Sequence, residues 1–183
     1  MKIDLALDDV EKTLIEKEKK LDSIVSEGRK TVRYCSLAIR SIHAGDLDQA
    51  KKHLAEAEKE LSQLSPYRET FRSHLDHIYQ EYAEARIVLS AVESQKIPSF
   101  KDLDIPEEPY LTALFDAIGE LKREMYESLR KGDKGQAEKY FAMMEGIYDA
   151  LIPIRFSNAI LHDFRRKQDA ARHQIEQARG ELL

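Results

Sequence analysis

The sequence predicts an all-α protein, a bundle of six to seven helices, and three observations carry that expectation. Apolar residues recur in steps of three and four along most of the chain. Stop and cap residues fall between the apolar stretches. No segment sustains the alternation of a half-buried strand. With 7 Gly and 5 Pro in 183 residues, loops must be few and short. The length suits one helical domain covering residues 1–183.

The first helix is expected from about Asp4 to His43, which at 1.5 Å per residue is roughly 60 Å long. Ala44-Gly45 stops it and Asp46 caps the second, whose stripe is Leu47, Ala50, Leu54, Ala57, Leu61 and Leu64. Ser65-Pro66 ends that stripe. The third helix is expected from about Tyr67 to Glu93, with Phe71, Leu75, Ile78, Tyr82, Ala85, Leu89 and Val92 facing the core. A linker punctuated by Pro98 and Pro106 follows, with room for one turn at Ser99 to Leu103. The next helix opens near Glu107 and buries Leu111, Leu114, Phe115, Ile118, Leu121 and Met125. Gly132-Asp133 repeats the stop-and-cap signal, and another helix with Ala137, Tyr140, Met144, Ile147 and Leu151 runs to Pro153. The last helix is expected from about Ser157 to Arg179. A first helix this long overhangs a domain of this size, so its outer apolar positions should seek a second chain.

Composition excludes several classes. A hydrophobic share of 42% is too high for a disordered chain, and 34% charged residues suits long amphipathic helices. The net charge of −5 gives no bulk attraction for nucleic acid, so any basic surface must be local. Cys35 stands alone, which rules out an internal disulfide and favours a reducing compartment. Met1 to Glu16 mixes charge throughout, unlike a signal peptide, and no stretch nears the ~18 apolar residues of a membrane span. The expected location is the cytoplasm, with no membrane partner.

No phosphate-binding glycine loop, zinc-spaced cysteine pair or nucleophile elbow occurs. No His follows a Glu by three residues, which removes the ligand element of di-iron bundles. Two acid pairs remain. Glu81 and Glu84 stand at i and i+3, Asp116 and Glu120 at i and i+4, so each pair shares one helix face. Solvated helix charge is one reading of both pairs. The other begins from the apolar neighbours Val88 and Ala91 on the stripe of the first pair, because half-buried like charges call for a cation. Gly119, inside a helix between Asp116 and Glu120, suggests close approach of another helix or a ligand. Four hard oxygen donors on two helices suit Mg²⁺ or Mn²⁺.

Basic residues cluster locally. Arg29, Lys30, Arg33, Arg40 and His43 lie on the first helix, Arg68 and Arg72 precede the first acid pair, and Arg155, Arg165, Arg166, Lys167 and Arg172 follow late. They can line a phosphate-binding surface or be solvated and paired with Glu. Tyr34, Tyr67 and Tyr79 are candidates for base stacking or for packing.

Three separated stretches resemble the translin superfamily, and within it the TRAX-like side with its archaeal single-chain relatives. They are the basic run Arg29-Lys30-Thr31-Val32-Arg33-Tyr34, the pair Phe71-Arg72 followed by Gln80-Glu81-Tyr82-Ala83-Glu84-Ala85, and Leu114-Phe115-Asp116-Ala117-Ile118-Gly119-Glu120-Leu121 with Gly132-Asp133. The ending from Arg165-Arg166-Lys167 through Ala178-Arg179-Gly180 is also similar to the family's last helix. The resemblance implies a seven-helix subunit of a closed, usually octameric, homo-oligomeric shell around RNA. It implies a Mg²⁺-dependent endoribonuclease, with Glu81, Glu84, Asp116 and Glu120 as catalytic and metal-holding acids. For Arg29, Lys30, Arg33, Arg40, Arg68 and Arg72 it implies contacts to RNA, and single-stranded DNA is a further expected partner. The alternatives are a non-catalytic, translin-like RNA or single-stranded DNA binder and a helical adaptor for a partner protein. The chain lacks the N-terminal extension of eukaryotic TRAX.

Overall fold

The structure, a computed structural model, describes residues 5–182. Among them are six α-helices and one 3₁₀ turn: α1 Leu7–His43, α2 Leu47–Leu64, the turn Ser65–Tyr67, α3 Arg72–Val92, α4 Glu107–Arg130, α5 Lys134–Leu151 and α6 Phe164–Leu182. No strand occurs among the described residues, so the all-α expectation stands. The expected start of α1 at Asp4 lies outside them.

The two Gly-Asp signals act as the sequence suggests, and in the same way. Gly45 and Gly132 each take φ 78°, the left-handed backbone that ends a helix without a Cβ clash. Asp46 and Asp133 then accept from the backbone N–H groups of Gln49 and Gln136, at 3.0 and 2.9 Å, capping α2 and α5. Each turn is closed by the same pair of 2.9 Å bonds back to the preceding helix, from Gly45 to Ile42 and Asp46 to Ser41, and from Gly132 to Leu129 and Asp133 to Ser128. α1 and α2 thus form one helical hairpin, α4 and α5 another. α3 packs on α1, α2 and α4, and α6 lies on α4 and α5.

Two helix starts differ from expectation. The third helix begins at Arg72 rather than Tyr67, because Pro66 opens a 3₁₀ turn and Phe71 leaves helical geometry at φ −125°. The last helix begins at Phe164 rather than Ser157. Ser157 does start one turn, its carbonyl accepting from Ile160 and Leu161. Asp163 then turns left-handed at φ 57°, its N–H bonded to the Asn158 side chain at 3.1 Å, and the helix restarts behind it. In the linker, the turn at Ser99 to Leu103 forms, closed by a 3.1 Å bond from Leu103 to Ser99, and it buries Leu103 and Ile105.

Two apolar clusters fill the interior. One joins α1, α2, α3 and the start of α4 around Leu54, Leu75, Tyr82 and Ile87. The other joins α4, α5 and α6 around Ile118, Leu121, Met144 and Phe164. α3 and α4 share the seam between them. The first turns of α1 stand clear of both: Leu7, Val10 and Leu14 are exposed, and burial begins at Ile24. No helix among the described residues is long and apolar enough to cross a membrane.

Leu121 is fully buried at the middle of α4. Leu121→Ala should lower the unfolding free energy by about 2–5 kcal/mol, the range for a leucine cavity that neighbours cannot fill. A urea-denaturation series checks this, and a loss under ~1 kcal/mol would place Leu121 outside the packed core.

Candidate acidic site between α3, α4 and α6

At the seam, helical spacing sets three short ladders of side chains against one another. α3 contributes Gln80, Glu81 and Glu84, α4 contributes Thr112, Asp116, Gly119 and Glu120, and α6 contributes Lys167 and Gln174. The four acids singled out from the sequence border one cavity of about 360 Å³, together with Lys167 and Gln174. Spacing alone put each pair on one helix face; the two pairs meet because α3 packs against α4.

Asp116 is held on both sides. Lys167 Nζ donates to its Oδ1 and Oδ2 at 2.5 and 2.7 Å, and Gln80 Nε2 donates to Oδ2 at 2.5 Å. Gln80 is fixed in turn by the Thr112 hydroxyl, which donates to its Oε1 at 3.0 Å. Glu120 meets His43, the last residue of α1, through Nε2 at 2.5 Å, and the other ring nitrogen of His43 meets Glu124 at 2.5 Å. An imidazole between two carboxylates donates through both nitrogens only when protonated. Burial alone would lower the His43 pKa, but the hydrogen bonds to Glu120 and Glu124 outweigh it and raise it to about 9. The same contact keeps Glu120 below its usual range.

The α3 acids are less compensated. Glu81 has His77 at 3.7 Å, and burial raises its pKa despite that neighbour and the charge of Lys167. No hydrogen-bond donor reaches Glu84 among the described residues. Burial, then the charges of Asp116, Glu81 and Glu120, push it up to about 8. Burial, then the charges of Glu81 and Glu84, also raise the pKa of the Cys35 thiol, which leaves that cysteine inert.

Gly119 lies under the Gln174 side chain of α6, and a Cβ at this position would stand 3.5 Å from that amide, an ordinary van der Waals contact, so packing here would accept alanine. Gln174 Oε1 is buried without a donor, on the wall of the acid cavity. The donors around the cavity are thus oxygens, mostly charged and under-compensated, which is the chemistry of a hard divalent cation. As placed, no three acidic, histidine or cysteine side chains among the described residues stand close enough to hold a metal ion. Lys167 and His43 occupy two of the four acids instead.

The basic residues divide. Arg29, Arg33 and Arg40 are exposed, and they continue along α1 the helical stripe that ends at His43. Lys30 pairs with Glu27 at 2.8 Å. Arg68 bonds Asp104 and lies over the ring of Tyr79, while Arg72 pairs with Glu108 at 2.5 Å. Of the candidate stacking residues, Tyr79 is buried and Tyr34 stacks on His53, so both serve packing. Arg72 and Lys167 border a second, larger cleft of about 620 Å³ that meets the acid cavity at Lys167.

Sequence reasoning missed the partners of the acids. His43 and Lys167 were visible only as members of basic runs, and Gln174 carried no local signal. Their roles depend on helices that meet across 77 and 51 residues of chain.

The raised pKa of Glu84 gives a pH prediction. Between its ordinary 4.5 and about 8, the folded protein holds a proton that the unfolded chain has released, so rising pH weakens the fold. His43 has the opposite charge type but the same slope. Its stabilisation is complete below 6.5 and fades as pH rises through about 9. In EDTA, the thermal midpoint should therefore fall as pH rises from about 5, and Glu84→Gln should flatten the part below about 6.5, where His43 is constant. An unchanged profile in Glu84→Gln would remove Glu84 from the set of buried, proton-holding acids.

Comparisons with known proteins identify the fold and the family. A match to the Translin family spans residues 6–178. An uncharacterized protein of Methanocaldococcus jannaschii is 35% identical over 175 residues, covering 93% of this chain and 78% of its own. The AfC3PO subunit in complex with duplex RNA superposes with a TM-score of 0.91 at 27% identity, covering 97% of this chain and 95% of the other. Apo-NeC3PO gives 0.88 at 26% identity, covering 100% and 98%. Helix order, the paired Gly-Asp hairpins and the extent of the match lead to one conclusion: the chain belongs to the Translin family.

Proposed function

We propose that this protein is a divalent-metal-dependent endoribonuclease that binds RNA within a shell of identical subunits. The observation that carries the reading is the convergence of Glu81, Glu84, Asp116 and Glu120, from two helices, on one cavity. The likeness to AfC3PO, which is known in complex with duplex RNA, supports RNA as the ligand.

Glu81, Glu84, Asp116 and Glu120 would hold Mg²⁺ or Mn²⁺. The ion would supply an activated water and charge stabilisation at the phosphorus. The chain's own residues do the rest. Gln80, braced by Thr112, fixes the Asp116 carboxylate, and His43 fixes Glu120, so two donors are oriented before any ion arrives. Glu84, left without a donor, has the most to gain from a cation. Arg29, Arg33 and Arg40 offer exposed charge along the stripe leading to His43, where a phosphate backbone can track. Arg68 and Arg72 would join only by releasing Asp104 and Glu108.

One observation favours the second reading, a non-catalytic RNA or single-stranded DNA binder: two of the four acids are already paired within the chain. Cleavage separates the two. With labelled RNA and Mg²⁺, the wild type should cut and EDTA should stop it. Asp116→Asn and Glu81→Gln should each abolish cutting while strand binding holds or tightens, since a neutral amide is a poor Mg²⁺ ligand of similar size. The ends should be 5′-phosphate and 3′-hydroxyl, because water rather than the ribose 2′-hydroxyl is the nucleophile. Undiminished cutting in both variants, or mainly 2′,3′-cyclic phosphate, would sink the metal-water mechanism.

Self-association is the other half of the proposal. Leu7, Val10 and Leu14 form an exposed apolar stripe on α1 with nothing packed over it among the described residues. A second copy would cover it. Val10→Glu with Leu14→Glu should reduce the oligomer seen by native mass spectrometry while leaving the helical circular dichroism of the bundle. Intact assembly in that variant would place the subunit interface elsewhere.

A further inference from the structure

Lys167 is placed unlike the other cations of the chain. It reaches from α6 to both oxygens of Asp116, and the two side chains are only 21% and 26% exposed. It lies on the wall of the acid cavity and also on the wall of the larger cleft. Of the two partners, the carboxylate is the fixed one, since Gln80 on α3 donates to Asp116 and is itself braced by the Thr112 hydroxyl. The lysine is the adaptable one, a charge on a flexible four-carbon stem. Its ammonium also acts electrostatically on Glu81 and Glu84, so one positive charge serves three acids on two helices.

We propose that Lys167 is a tethered counter-ion. It stands in for a divalent cation beside Asp116, and yields that place when the cation binds, turning into the adjoining cleft. The inference rests on the metal reading given above. The exchange breaks no covalent bond: a single charge leaves the carboxylates and a double charge enters. Lys167 holds one of the four acids, Asp116, and since no three acids among the described residues stand close enough together to hold an ion, its release would be accompanied by the acids drawing together. It also gives the empty protein a way to keep α3, α4 and α6 packed around like charges. Once released, the ammonium faces the cleft of about 620 Å³ beside Arg72 and His162, where a phosphate oxygen can accept from it.

The test uses Mn²⁺ alone, without RNA, titrated calorimetrically into wild type, Lys167→Met and Lys167→Arg. A charge this close changes the affinity of a carboxylate for a cation roughly tenfold or more. Lys167→Met should therefore bind Mn²⁺ about tenfold more tightly than wild type, and Lys167→Arg no more tightly than wild type. Equal or weaker binding in Lys167→Met overturns the counter-ion. Absence of Mn²⁺ binding in all three proteins overturns the metal reading itself, a different result. A second measurement needs only the wild type. Acetylation of Lys167, followed by peptide mass mapping, should rise several-fold when Mn²⁺ is added, while exposed Lys131 stays constant. No rise at Lys167 in Mn²⁺-bound protein would mean that the ammonium remains on Asp116, and the proposal fails.

Discussion

Where α3 lies against α4, the chain brings four carboxylates to one seam, and the surrounding architecture follows from having to neutralise them. Like charges shielded from water repel, and each needs a proton, a donor or a cation. The protein uses all three. Glu84 keeps its proton into the neutral range, Asp116 takes Gln80 and Lys167, and Glu120 takes His43. These partners come from α1, α3 and α6, so the acids tie three further segments to α4.

The distribution of partners is uneven, and the unevenness carries functional meaning. Asp116 and Glu120 on α4 are oriented by hydrogen bonds, whereas Glu81 and Glu84 on α3 have one imidazole at 3.7 Å from Glu81 and the more distant charge of Lys167, and burial raises the pKa of both. A stable structural network would satisfy all four alike. Leaving one side under-compensated, beside a buried amide oxygen with no donor, suits a site whose remaining charge belongs to something that enters.

Much of this was legible in the sequence, and the limits are instructive. The helix stripes could be read because burial of Leu54, Leu75 or Leu121 imposes a period, and the Gly45-Asp46 and Gly132-Asp133 turns because backbone chirality and capping act over a few residues. The acid pairs could be read for the same reason: i, i+3 and i, i+4 spacing fixes a face. The starts of α3 and α6 could not, since a 3₁₀ turn after Pro66 and a left-handed Asp163 compete with a helical apolar pattern that looks unbroken. Nor could the pairing of Lys167 with Asp116 or His43 with Glu120. A basic residue carries no mark of which acid, many helical turns away, it will meet. The same ambiguity hid the fact that Lys30, Arg68 and Arg72 are already engaged by Glu27, Asp104 and Glu108.

The matched hairpins have a consequence for how the molecule comes apart. Each is closed by local bonds around its glycine, and each contributes to its own apolar cluster, so neither relies on the acid seam for its internal order. The electrostatic penalty is concentrated instead where the two halves join, at α3 against α4. Cooperativity between the halves is therefore adjustable by whatever neutralises that joint. A proton kept there by Glu84 acts as a clasp between the two halves.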